Sequence, residues 1–124
     1  MYTISLPLLG FENYSTLKMN TINEYFSTLI LDENSKLQIT VVNITYFKNT
    51  PFYFNIEDSI LEKLNVKKRE DFDIYFCVVK QEPIEESIVN LIAPVLINSK
   101  EKLLGQYIIK DKVPRLFTTL KPSI

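Results

Sequence analysis

The chain has 124 residues, with 14 Lys and Arg against 15 Asp and Glu, no His, no Trp, one Cys and two Gly. That is enough chain for one domain with its own apolar core, and the lack of His removes every Ser-His, Cys-His and His-metal arrangement, since each needs an imidazole. A net charge of −1 supplies no concentrated positive field for phosphate, which argues against a direct nucleic-acid partner, and no run approaches the roughly 20 apolar residues of a membrane span.

Met1 to Gly10 carries neither a basic leader nor a long apolar run, so the expected location is the cytoplasm. Thr21-Ile22-Asn23-Glu24 has capping-box spacing and Ile22, Tyr25, Phe26 and Leu29 follow at helical intervals, which predicts a short helix, although Thr28 to Leu31 reads equally well as strand. Leu37 to Val41 alternates apolar and polar, then Val42 to Tyr46 alternates in the opposite phase, which predicts a bulge or bend at Val41 and Val42. Tyr46-Phe47-Lys48-Asn49-Thr50-Pro51-Phe52-Tyr53-Phe54 holds five aromatics in nine residues; they cannot all face one core, and some are candidates for an exposed apolar groove.

Asn55 is placed to cap a second helix that carries Ile56, Ile60, Leu61 and Leu64 on one face, with Asn65 ending it in the left-handed conformation. Phe72 to Lys80 alternates with apolar residues on both faces and predicts a central strand. Ile88 to Asn98 is strand-like but broken at Pro94, which cannot donate to a ladder. A turn at Ser99 to Lys102 then joins it to Leu103 to Lys110 as a hairpin. Residues 110–124 hold Lys110, Lys112, Arg115 and Lys121 against Asp111 alone, with Pro114 and Pro122 opposing regular structure. The sum is a mainly β fold: a small antiparallel β-barrel-like domain with one or two short helices over residues 1–111, followed by a basic, partly mobile C-terminal tail over 112–124.

Chemistry-bearing candidates are few. The carboxylates of Glu82, Glu85 and Glu86, and of Glu70, Asp71 and Asp73, are the only acid-base equipment, and a catalytic pair needs one member buried. Turn-forming and charged neighbours place both groups on a solvated rim instead. Lys67-Lys68-Arg69 follows a helix end, where cations are favoured anyway. Cys77 sits within an apolar strand and reads as a small apolar side chain. Two glycines build no phosphate-cradling loop. No metal or cofactor is expected.

Pro7-Leu8-Leu9-Gly10-Phe11-Glu12 resembles the LPGFE signature of the FliW family of flagellar assembly factors, with Leu9 standing where the signature has Pro. Asn90-Leu91-Ile92-Ala93-Pro94-Val95-Leu96-Ile97-Asn98, followed by Gly105-Gln106-Tyr107-Ile108-Ile109, is similar to that family's NLxAPxxxN segment and the GxQ strand after it. The resemblance spans about residues 4 to 111. It implies a non-catalytic, β-barrel-like cytoplasmic protein with two alternative partners, flagellin and the translational regulator CsrA. Flagellin held by the protein would leave CsrA free; once flagellin is exported, the protein would bind CsrA and relieve its repression of flagellin mRNA.

On that reading Tyr46, Phe47, Phe52, Tyr53 and Phe54 are candidates to receive an amphipathic flagellin helix. Glu57, Asp58, Glu62, Glu82, Glu85 and Glu86 are candidates to steer the basic CsrA. Asn90 and Asn98 are either partner contacts or hydrogen-bonding residues where the ladder is interrupted. Two other readings stand beside it: a small β-barrel binding module for a different protein or peptide, and an enzyme using Glu82, Glu85 and Glu86 as acid and base.

Overall fold

The computed structural model describes residues 1–47, 55–110 and 116–121. Seven strands close a barrel: β1 (Tyr2–Leu6), β2 (Thr16–Thr21), β3 (Phe26–Asp32), β4 (Leu37–Asn43), β5 (Asp73–Val79), β7 (Val95–Asn98) and β8 (Leu103–Gln106). Their order is β4-β3-β2-β1-β8-β7-β5, and β4 pairs with β5 to complete the circuit. Closure removes the unpaired edges that an open sheet would expose. Every pairing is antiparallel except that of β1 with β8. Two further strands, β6 (Ile88–Asn90) and β9 (Phe117–Thr119), form a side ladder in the order β5-β6-β9.

Two apolar clusters divide the side chains by strand parity. One fills the barrel with Tyr2, Leu17, Leu29, Leu31, Val41, Val95, Ile97 and Leu104. The other lies outside the wall built by β4, β5 and β7, where Val42, Ile74, Phe76, Val78 and Leu96 pack with Leu64, Val66 and Tyr107. This division explains the reversal of phase in β4. No bulge occurs at Val41 and Val42, which pair in unbroken register with Ser27 and Phe26. Val41 points into the barrel and Val42 into the outer cluster, so both faces bury apolar side chains without any slip. The register shift in that pair falls instead between Ile30 and Asp32.

The helix read at Thr21 to Leu29 is a hairpin. Asn23 Oδ1 accepts from the Tyr25 and Phe26 amides, both at 3.0 Å, and the Ile22 amide donates to Phe26 O. An Asx turn therefore satisfies the donors that a helix N-terminus would have offered, and β3 buries Leu29 and Leu31 in the barrel. The second helix exists as α1 (Asp58–Lys63), but it starts three residues after Asn55, and Glu57 holds the N-cap position without a side-chain bond. Leu64 is fully buried against the outer cluster and Asn65 takes φ 55°, as its terminating role requires.

The break at Pro94 separates β6 from β7, and the turn at Ser99 to Lys102 joins β7 to β8 with Asn98 opposite Leu103. Part of the segment read as a tail is ordered: Phe117–Thr119 is strand β9, antiparallel to β6, and Leu120 is buried in the outer cluster. The basic residues and prolines flank a short uncharged run, Leu116 to Leu120, whose Phe and Thr residues supply the strand. No helix among the described residues is long and apolar enough to cross a membrane.

Candidate partner-binding surface

The aromatic stretch divides at the limit of the described residues. Tyr46 and Phe47 are half-buried members of a packed group: Tyr46 meets Tyr25, Phe26 and Phe47 edge-to-face at centroid distances of 5.5, 5.6 and 5.2 Å, and Phe47 meets Phe76 at 6.2 Å. The Tyr46 hydroxyl donates to Leu120 O at 2.7 Å, so it also ties the C-terminal strand to the barrel wall. Phe52, Tyr53 and Phe54 lie outside the described residues.

Exposed apolar surface appears where the amino-acid pattern had not indicated it, on the side ladder. Val79 lies opposite Ile88, Ile88 opposite Thr119 and Asn90 opposite Phe117, which puts Val79, Ile88 and Phe117 on one face. They are 61 %, 41 % and 55 % exposed. The alternate residues Val78 and Val89 face the outer cluster and are buried. The two-sided apolar pattern of β5 predicts cover on both faces, and Val79 at its end departs from it. Its last residue projects past the end of β7, which pairs only with Asp73 to Tyr75.

The acidic candidates differ in their surroundings. Glu57 is paired with Lys110 and Glu86 with Lys121, each at 2.6 Å. Each carboxylate's hydrogen bond holds its lysine above the usual ammonium range. Both pairs are solvent-exposed and contribute little to stability. Glu82 and Glu85 are exposed on the turn that leads into β6, and Asp58 is exposed in the first turn of α1. The enzyme reading finds no desolvated carboxylate in Glu82, Glu85 or Glu86, all three of which face solvent. No group of three His, Cys, Asp or Glu able to hold a metal occurs among the described residues.

Asn90 and Asn98 both bond within the chain. Asn90 Oδ1 accepts from the Ile92 amide at 3.0 Å, where the ladder breaks. Asn98 is buried; its Nδ2 donates to Leu64 O at 2.8 Å and its Oδ1 accepts from the Glu101 amide at 3.2 Å. It therefore joins the end of α1 to the β7–β8 turn. The run from Lys67 to Asp71 closes on itself: the Lys67 and Lys68 amides donate to Asp71 Oδ2, at 2.9 and 3.1 Å. Those bonds, the Lys67 amide first, hold the Asp71 carboxyl below the usual carboxylate range. Arg69 stacks over the Phe72 ring at 4.8 Å. Burial pushes the Cys77 thiol up to about 11, which leaves it protonated and unreactive near neutral pH.

Gln106 organises contacts that its place in the GxQ segment does not reveal. Its Oε1 accepts from the Leu9 amide at 2.8 Å and its Nε2 donates to Ala93 O at 2.9 Å, so one side chain links the two motifs that are furthest apart in the chain. Gly105 beside it faces Leu6 so closely that a Cβ there would lie 2.4 Å from Leu6 Cβ. Nothing local in the sequence signals either role, because both depend on β8 lying alongside β1.

Closed barrel and side ladder, with charged side chains at the surface, define a small β-barrel protein. The family model described as FliW protein matches residues 1–118. A flagellar assembly factor FliW of Helicobacter pylori is 31 % identical over 99 residues, covering 80 % of this chain and 73 % of that one. One from Campylobacter lari is 29 % identical over 121 residues, covering 97 % and 92 %. A crystal structure of the flagellar assembly factor FliW superposes with a TM-score of 0.84 at 20 % identity, over 98 % of this chain and 85 % of that one, and so shares the fold. The chain belongs to the FliW family.

Proposed function

We propose that this protein is a non-catalytic cytoplasmic assembly factor that holds flagellin before export and, when flagellin is gone, binds and antagonises CsrA. The family match over residues 1–118 carries this reading. The surface is compatible with it. An amphipathic flagellin helix needs an apolar strip, and Val79, Ile88 and Phe117 provide one on an otherwise closed barrel. A basic regulator is attracted by exposed acids, and Glu82 and Glu85 stand on the turn beside that strip. Adjacent surfaces make the two partners exclusive without any chemical step, since a coupling of about 1–3 kcal/mol shifts occupancy roughly 5- to 150-fold.

Calorimetric titration of the purified chain with flagellin and, separately, with CsrA tests the reading. Saturable binding of each, and displacement of CsrA by flagellin, is the expected outcome; heat from neither partner overturns it. Ile88→Ser with Phe117→Ser should weaken flagellin at least tenfold while circular dichroism stays unchanged. Glu82→Lys with Glu85→Lys should slow CsrA association and flatten its salt dependence. The alternative, a β-barrel module for some other protein or peptide, would keep the strip and bind neither partner.

A further inference from the structure

We infer that Gln106 is a clasp coupling the first loop to the joint on which the side ladder hangs. The joint is Leu91 to Pro94, between β6 and β7. Its backbone groups are held from several directions: the Leu91 amide donates to Leu116 O, Ile92 O accepts from the Ile109 amide and Pro94 O accepts from the Tyr107 amide. Ala93 is 2 % exposed, and its carbonyl is met by Gln106 Nε2. The other arm of the same amide takes the Leu9 N–H, from a loop 97 positions away in sequence. Gly105 permits this reach, because its missing Cβ lets β8 close against Leu6 at the register shift of β1.

The coupling follows from side-chain entropy. Fixing a Gln in one rotamer is among the costlier ordering steps for a side chain, and here the bonds to Leu9 and Ala93 share that cost, with a weak third from Nε2 to Cys77 Sγ at 3.9 Å. When the Leu9 arm opens, only the Nε2 end still holds the side chain, by its bond to Ala93 O and the weak one to Cys77 Sγ, so the joint loosens. The reverse holds equally, as linkage requires. The arms differ in their surroundings. Ala93 O is in the dry interior, whereas Leu9 is 48 % exposed and water can replace Gln106 at its amide. The loop end is therefore the one that releases first. Proline has no N–H to donate, so a proline at position 9 would remove this arm.

Amide hydrogen exchange on the full chain, followed residue by residue by NMR, tests the clasp in the absence of any partner and so independently of the flagellin and CsrA reading. Leu9→Pro should speed exchange at the Leu91 and Ile109 amides about 3- to 10-fold, the loss of one shared hydrogen bond, and leave the β2 and β3 amides unchanged. Leu9→Ala keeps the N–H and should exchange at the wild-type rate. Wild-type rates at Leu91 and Ile109 in Leu9→Pro, or equal acceleration throughout the barrel, overturn the inference. If Leu9→Pro does not fold, Gln106→Glu decides: the carboxylate still accepts from Leu9 but cannot donate to Ala93. Coupling then requires faster exchange at Leu9 itself as well as at Leu91, and a Leu9 amide still protected overturns it.

Discussion

Replacing Gly105 by Ala tests the close approach of β8 to β1. The added Cβ would lie 2.4 Å from Leu6 Cβ, 2.8 Å from Leu6 N and 2.9 Å from Leu6 Cγ. The first two atoms belong to the backbone or sit one bond from it, so no rotamer change relieves the contact; the strands themselves must part by about 1 Å to reach ordinary van der Waals distance. Overpacking that moves backbone costs about 1–3 kcal/mol, against a gain of about 0.4–1 kcal/mol from the stiffer unfolded chain. A net loss of about 1.3 kcal/mol, the difference of the middle values, corresponds to a fall in Tm of roughly 4–8 °C for a chain of this size. Urea unfolding followed by circular dichroism would read it as a lower midpoint at unchanged slope. Adding Leu6→Ala should not rescue the variant, because Ala keeps the offending Cβ. Gly10→Ala serves as the contrast: Gly10 has φ +84° and nothing within 4 Å of an added Cβ, so only backbone strain of about 1–2 kcal/mol applies. A Gly105→Ala protein as stable as the wild type would refute the argument from strand approach.

Asn98→Asp keeps an acceptor for the Glu101 amide but sets a carboxylate against Leu64 O in the interior; a loss of about 2–3 kcal/mol or more is expected in chemical denaturation, with Asn98→Ala also destabilising. Tyr46→Phe removes the donor to Leu120 O and should cost about 0.5–1.5 kcal/mol, with the larger effect on amide exchange within β9. With its thiol pushed up to about 11, Cys77 in the folded chain should react with a disulfide reagent at pH 8 roughly 100-fold slower than an unperturbed cysteine, from the thiolate fraction alone. That rate should climb as pH approaches the folded value or as denaturant unfolds the chain; rapid labelling of native protein at pH 8 would contradict the burial of this residue.

Local chemistry decided what the sequence by itself could determine. Pro94 cannot donate to a ladder, so a strand break there follows from one residue, and the four residues Ser99 to Lys102 between two apolar runs require a turn. The period-2 pattern of Phe72 to Lys80 reports that both faces are apolar, and β5 is covered on both over most of its length. With the two motifs around Leu9 and Asn90, these signals sufficed for the fold class and the family.

Periodicity reports which way a side chain points, not which neighbour receives it, and tertiary structure decided everything of that second kind. Val41 and Val42 look like a slipped register until two separate cores are present to bury them. Thr21 to Glu24 looks like the start of a helix until β2 and β3 pair around Asn23. Phe117 to Thr119 is too short to declare itself a strand without β6 beside it. The exposed strip of Val79, Ile88 and Phe117, together with the reach of Gln106 to Leu9 and Ala93, joins residues far apart in the chain. Such contacts arise only when the barrel closes, since no window of sequence contains both partners.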